Sequence, residues 1–291
     1  MTFLTQILNG LSLGSIYALV ALGYTMVYGI ILLLNFAHGD IIMVGGYIAW
    51  IAMSVLGLPP VVAALLSVLG CMVLGVLIDK VAYAPLREAP RLSILITAIG
   101  VSYFLENGGQ LVFGAAAKVV PSFGDFGSVS LGDASLSGRA ILTVLVTVAA
   151  TAVLTFLVQK TKLGKAMRAV SEDMGAARLM GINVNHTISF TFAVGSALAG
   201  IGSVLYCMAY TQVTPTMGIM LGTKAFVAAV LGGIGSIPGA VIGGLIVGFA
   251  EVFVSAIGLS VWQDAVVFLL LIVVLVVKPT GILGRPMTEK V

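Results

Sequence analysis

Charge is what this sequence has least of. Lys, Arg, Asp and Glu supply 9% of its 291 residues, against about 25% in an ordinary soluble domain. A surface so poor in charge excludes a water-soluble globular protein, and nucleic acid is not an expected partner. Histidine is nearly absent, with only His38 and His186, and nothing in sequence recruits either as a catalytic base. HExxH is missing, as is GxxxxGK[ST], so neither a zincin site nor a nucleotide-binding P-loop is expected. The letters "GLSLG" at 10–14 match GxSxG, but they open an apolar helix rather than a strand–turn–helix, and carry no nucleophile elbow. Cysteine occurs twice, at Cys71 and Cys207. Both lie in apolar runs, where small buried hydrophobes are expected rather than a disulfide. The first basic residue is Lys80, so the basic start of a secretory signal is lacking.

What the chain has is hydrocarbon and glycine. Hydrophobic residues make up 60%, and the mean hydropathy is +1.18. Spanning the bilayer takes runs of about 20 apolar residues. Such segments fall at 11–33, 41–57, 60–79, 92–113, 140–158, 187–210, 219–233, 237–257 and 262–277. The ten-residue alternation of a membrane β-barrel is missing. The expected fold is therefore all-α: one polytopic transmembrane bundle over 1–291, with about eight or nine membrane segments. Segment 219–233 would reach only about 22 Å as a helix, so a re-entrant segment near 219–240 is an alternative to a full crossing. The 36 glycines suit close helix packing in lipid. Gly10-xxx-Gly14, Gly239-xxx-Gly243 and Gly244-xxx-Gly248 have the required spacing.

Short cytoplasmic loops attract Lys and Arg. Loop 80–91, loop 160–185 and the tail from Lys278 hold eleven of the fourteen basic residues. The expected topology puts all three in the cytoplasm, with the N-terminus and the Gly- and Ser-rich loop 114–139 outside. Asn185-His186-Thr187 fits a glycosylation sequon but falls on the cytoplasmic side.

Loop 160–185 is the exception to the scarcity of charge. Seven of the 25 charges lie between Lys160 and Arg178. Met167, Val170, Met174, Ala177 and Gly181 recur at helical spacing, one face of a single amphipathic helix. Gly181 stands where a helix C-cap belongs. Glu172 and Asp173 among the basic residues argue against a simple polybasic lipid anchor. A cytoplasmic helix with Met and Ala on its apolar side suits a partner's groove; a solvated loop that only sets topology is the alternative.

Polar residues at membrane depth are expensive and often functional. Asn35, His38 and Asp40 in "NFAHGD" fit a gate near the translocation path, or a polar turn at the inner interface with Asn35 and Asp40 capping helices. Glu106 lies near the outer end of 92–113. It could meet an outer partner or pair within the bundle. Glu251 is the most deeply placed acid; it could bind an ammonium group or pair with Lys224.

"GKAMRAVSEDMGAARLMGINVN" (164–185) resembles the cytoplasmic coupling loop of ABC importer permeases, whose signature is Glu-Ala-Ala, three residues, then Gly. Here it stands as Gly175-Ala176-Ala177-xxx-Gly181, with Gly175 in place of the usual Glu. Stretches 9–47 and 224–251 resemble the LivH-type permeases of branched-chain amino acid importers. The resemblance implies docking of ATPases through Met167, Val170, Glu172, Asp173, Met174, Ala176, Ala177, Gly181 and Ile182. It implies a homologous LivM-like permease, two cytoplasmic ABC ATPases, an extracytoplasmic amino-acid-binding protein, and a bacterial inner membrane. ATP and Mg would sit on the ATPases, with no cofactor or catalytic residue on this chain. The expected cargo is leucine, isoleucine or valine; relatives of this kind also carry urea or short amides. A stand-alone secondary transporter would leave loop 160–185 unexplained, and a membrane enzyme lacks a nucleophile.

Overall fold

The computed structural model describes residues 3–31, 35–87, 89–131 and 134–284. Eleven α-helices among them form one bundle: α1 Phe3–Ile31, α2 His38–Trp50, α3 Pro60–Ile78, α4 Arg91–Phe113, α5 Gly138–Lys160, α6 Lys162–Glu172, α7 Met174–Leu179, α8 Val184–Tyr210, α9 Met217–Gly232, α10 Ile237–Ala256 and α11 Gln263–Val277. A π turn, Ile51–Val55, extends α2, and a second, Asp79–Tyr83, extends α3. Eight helical stretches are long and apolar enough to cross a membrane.

Helix ends follow local chemistry. Pro60 occupies the first turn of α3, where its missing N–H costs nothing. Ser137, Thr161, Asn183 and Ser236 cap α5, α6, α8 and α10 by accepting from backbone N–H groups. The buried helices α1, α2 and α8 form the centre, while α4, α5 and α11 turn most of their surface outward. In lipid that surface needs no polar cover.

α1 packs on α10 nearly backbone to backbone. A Cβ built on Gly248 would lie 2.3 Å from the Cα of Gly14, and one on Gly244 would lie 2.5 Å from the Cα of Ala18. α10 turns a second small-residue face to α9: a Cβ on Gly239 would lie 2.5 Å from the Gly232 carbonyl oxygen, and one on Gly243 would lie 1.9 Å from that of Ala228. All three small-residue pairs expected from spacing are helix contacts.

These contacts also settle the end of the chain. α9 and α10 run antiparallel, with Gly232 beside Gly239 and Lys224 beside Glu251. After α11 the chain returns to the foot of α9, where the N–H groups of Ile282 and Leu283 donate to the carbonyls of Leu231 and Gly232. So α9, α10 and α11 alternate in direction, and α9 is shorter than the eight helices long and apolar enough to cross a membrane. Its 16 residues span about 24 Å, because the chain spends residues 211–216 on a strand and turn first.

Loop 114–139 contains short strands. β1 Lys118–Val119 pairs antiparallel with β4 Gln212–Val213, and β2 Ser128–Leu131 forms a hairpin with β3 Ala134–Ser137. β1 ties the end of α4 to the end of α8. The loop containing Arg87 meets the foot of α8 through Asn185, so loops 80–91 and 160–185 lie at one end of the bundle. Residues 278–284 share that end; Arg285 and Lys290 lie outside the described residues.

Gly248→Ala is expected to cost about 1–3 kcal/mol through overpacking. Gly108→Ala, in α4 with open space around it, is expected to gain up to about 1 kcal/mol of helix propensity. Thermal unfolding in detergent checks both; equal effects would contradict the packing of α1 on α10.

Candidate functional site

Loop 160–185 forms two helices rather than one. Asp173 breaks them: its backbone is extended (φ −158°, ψ 111°), and its carboxylate accepts from Gly175 N at 2.7 Å and Ala176 N at 2.9 Å. That satisfies otherwise orphaned donors at the start of α7. Gly175, where the coupling signature has Glu, thus supplies the first capped N–H. α7 ends in a Schellman motif: Ile182 N donates to Ala177 O, and Gly181 N to Arg178 O. Gly181 has φ +80°, a conformation glycine adopts without penalty.

The break divides the expected apolar stripe. Met167 and Val170 are 1% exposed, and Ala177 is 3% exposed. They pack into this chain's own bundle, with α6 lying against α1, α5 and α8. They do not form a face open to a partner; that expectation is corrected. Glu172, Asp173, Met174, Ala176 and Gly181 are exposed, and Ile182 is half-buried. The large apolar side chains left most uncovered are Leu179 (91%) and Met180 (82%). Their off-stripe positions hid them from the periodicity. They stand beside a polar hollow lined by Arg178, Gly181, Ile182, Asn183, Val184 and Asn185.

Asn35, His38 and Asp40 of "NFAHGD" are buried and meet three different helical stretches. His38 packs edge-on against Tyr24, with centroids 4.7 Å apart, and its Nε2 lies against Gly23. Gly23 is eight residues before the end of α1, which is about 12 Å of helix. α2 therefore begins inside the bundle. Asn35 and Asp40 do not cap it: Ala37 is the N-cap and no side chain bonds there. Instead Asn35 Oδ1 accepts from Tyr83 OH at 2.9 Å, and Asp40 Oδ2 accepts from Ser102 Oγ of α4. Glu106, one turn beyond Ser102, is half-buried. Asn35 Nδ2, His38 Nε2 and Asp40 Oδ1 have no partner among the described residues.

Glu251 belongs to a separate cluster. Its carboxylate is 2.6 Å from Lys224 Nζ and accepts from Tyr17 OH at 2.7 Å. Lys224 also meets Asp264 at 2.7 Å. The ion cluster thus joins α9, α10 and α11, and Tyr17 adds α1. Of the two readings the sequence left open, pairing with Lys224 is the one the side chains adopt.

Sequence reasoning missed the foot of α3. Asp79 is fully buried, bonded to Arg87 Nη2 at 2.5 Å and to Ser189 Oγ at 2.5 Å. Arg87 also donates to Asn185 Oδ1. The available signal was an acid in the last turn of an apolar segment, eight residues before an arginine.

The family described as "Branched-chain amino acid transport system / permease component" matches residues 6–275. The high-affinity branched-chain amino acid transport system permease protein BraD of Pseudomonas aeruginosa is 46% identical over 99% of this chain and 98% of its own length. LivH of Escherichia coli is 45% identical with the same coverage. The ribose import permease protein RbsC of Haemophilus influenzae is 26% identical over 93% of this chain and 84% of its own length.

Lys224→Met leaves Glu251 as a buried charge with one partner lost, and is expected to cost about 3–5 kcal/mol. Lys224→Met with Glu251→Gln should recover part of that loss in detergent unfolding. No recovery would mean that the two side chains are not energetically coupled.

Proposed function

The chain belongs to the permease-component family of branched-chain amino acid transport systems, and from that premise we propose how it works in an ABC importer of leucine, isoleucine and valine. It is a transporter subunit and not an enzyme. ATP and Mg bind two cytoplasmic ATPases, a homologous LivM-like permease completes the pathway, and an extracytoplasmic binding protein delivers the amino acid. The observation that carries this reading is near-full-length similarity to permeases of that transport system, together with the exposed Leu179–Met180 pair at the end of the coupling-loop signature.

The membrane sidedness follows from charge. Loops 80–91 and 160–185 share one end of the bundle and hold eight of the fourteen basic residues, which supports a cytoplasmic placement. The C-terminal residues near Lys278 return to that same end, and the N-terminus of α1 lies at the other.

α6 is the anchor of the coupling loop and α7 its presenting element. Met167, Val170 and Ala177 hold the loop to the bundle. Leu179 and Met180 enter an apolar groove on the ATPase, with Glu172, Met174, Ala176 and Arg178 around them. ATP binding draws the ATPases together, and the anchored loop passes that movement to α8 and α5. Glu251 does not bind the substrate ammonium; it locks α9, α10 and α11 through Lys224. The cargo is apolar, so a pathway sparse in charge suffices, and the delivery protein supplies most of the specificity.

Leu179→Asp or Met180→Asp is expected to weaken ATPase co-purification about tenfold or more while leaving the chain folded. Met167→Asp should lower the yield of folded chain instead. Normal docking in both α7 variants would remove α7 as the presenting element. In proteoliposomes holding both permeases and ATPases, with delivery protein outside, ATP-dependent leucine, isoleucine and valine uptake is expected. Uptake of urea alone would keep the importer and overturn its cargo.

A further inference from the structure

Two buried side chains of the π turn Asp79–Tyr83 face in different directions. Asp79 faces the foot of α8. One of its oxygens meets Arg87 Nη2 and the other accepts from Ser189 Oγ, both at 2.5 Å. The second amino group of Arg87 donates to Asn185 Oδ1. Asn185 lies two residues beyond Asn183, the N-cap of α8, and lines the hollow beside Leu179 and Met180. One turn on, Tyr83 faces the start of α2. Its hydroxyl donates to Asn35 Oδ1 at 2.9 Å, and its ring stacks on Phe192 of α8 with centroids 5.4 Å apart. The carbonyl of Asn35 in turn accepts from His38 N, the first turn of α2.

We propose that Asp79, Tyr83 and Arg87 form a strut that carries movement of the coupling loop to the inner end of α2. This rests on the reading of α7 as the ATPase-facing element. The chain of contacts runs from the α7–α8 turn through Asn185, Arg87, Asp79 and Tyr83 to Asn35 and α2. Its stiffness has a physical source. A carboxylate removed from solvent has no water to replace a lost partner, so Asp79 moves with Arg87 and Ser189 rather than apart from them. The guanidinium meets Asp79 and Asn185 through two separate amino groups of one rigid plane, a fork that the compact ammonium of a lysine does not reproduce. The wider π turn, of a kind often found at functional positions, sits where α3 would otherwise continue as a regular helix. All three are positioning residues: they touch neither ATP nor cargo.

The test is the ratio of cargo moved to ATP hydrolysed, measured in proteoliposomes holding the complete importer with loaded delivery protein outside. Tyr83→Phe removes only the hydroxyl and keeps the ring on Phe192. Arg87→Lys keeps the charge and gives up the planar fork. Each is expected to lower the ratio about fivefold to tenfold, with ATPase co-purification and hydrolysis within about twofold of the parent. The double variant should be no worse than the weaker single one, because both cut one chain of contacts. An unchanged ratio in both variants overturns the proposal. So does a parallel fall of uptake and hydrolysis, which marks simple damage to the fold. Absence of ATP-dependent uptake in the unmodified importer would instead bring down the reading of the loop itself.

Discussion

α1 can reach α10 at backbone distance only because neither helix carries a side chain at the crossing. Gly14 and Gly248 meet there, and Gly244 meets Ala18 one turn on. In lipid there is little hydrophobic gain in bringing apolar helices together, so association depends on close van der Waals contact and on polar bonds. With α1 held centrally, α8, α9 and α5 pack around it, and the peripheral helices are free to face hydrocarbon. α10 repeats the device on its second face against α9, which fixes the direction of the last three helices.

The few ionic groups at depth serve the same end. Lys224 draws Glu251 and Asp264 together across three helices. Asp79 holds the foot of α3 to α8. Neither carboxylate is left as a bare charge for a substrate to satisfy. Asn35, His38 and Asp40 differ: each keeps one polar atom without a partner among the described residues.

A loop that couples to an ATPase, as proposed above, must be both attached and exposed. One continuous amphipathic helix offers a single apolar face and would have to choose between its own bundle and a partner. The break at Asp173 removes that conflict. α6 spends Met167 and Val170 on attachment, and α7 leaves Leu179 and Met180 uncovered. The residue whose extended backbone ends the first helix also caps the second, through Gly175 N and Ala176 N.

Much of this was legible before any coordinates. Apolar run length located the membrane helices to within a few residues, except that α1 begins well before residue 11. Small-residue spacing marked the contacts at Gly10, Gly14, Gly239, Gly243, Gly244 and Gly248, and the coupling-loop signature marked 164–185. These are local properties: helix length against bilayer thickness, and residue size at helical period, act within one segment. What the sequence could not decide was which partner each side chain finds. Glu251 could take an ammonium or a lysine, Asn35 could cap a helix or accept from a tyrosine, and Met167 could face a partner or its own bundle. Asp79 gave little sign of its tie to Ser189, more than a hundred residues away. Those choices depend on which helices become neighbours and at what depth, and only the packed bundle sets that, because a buried polar group must bond to whatever the fold brings within reach.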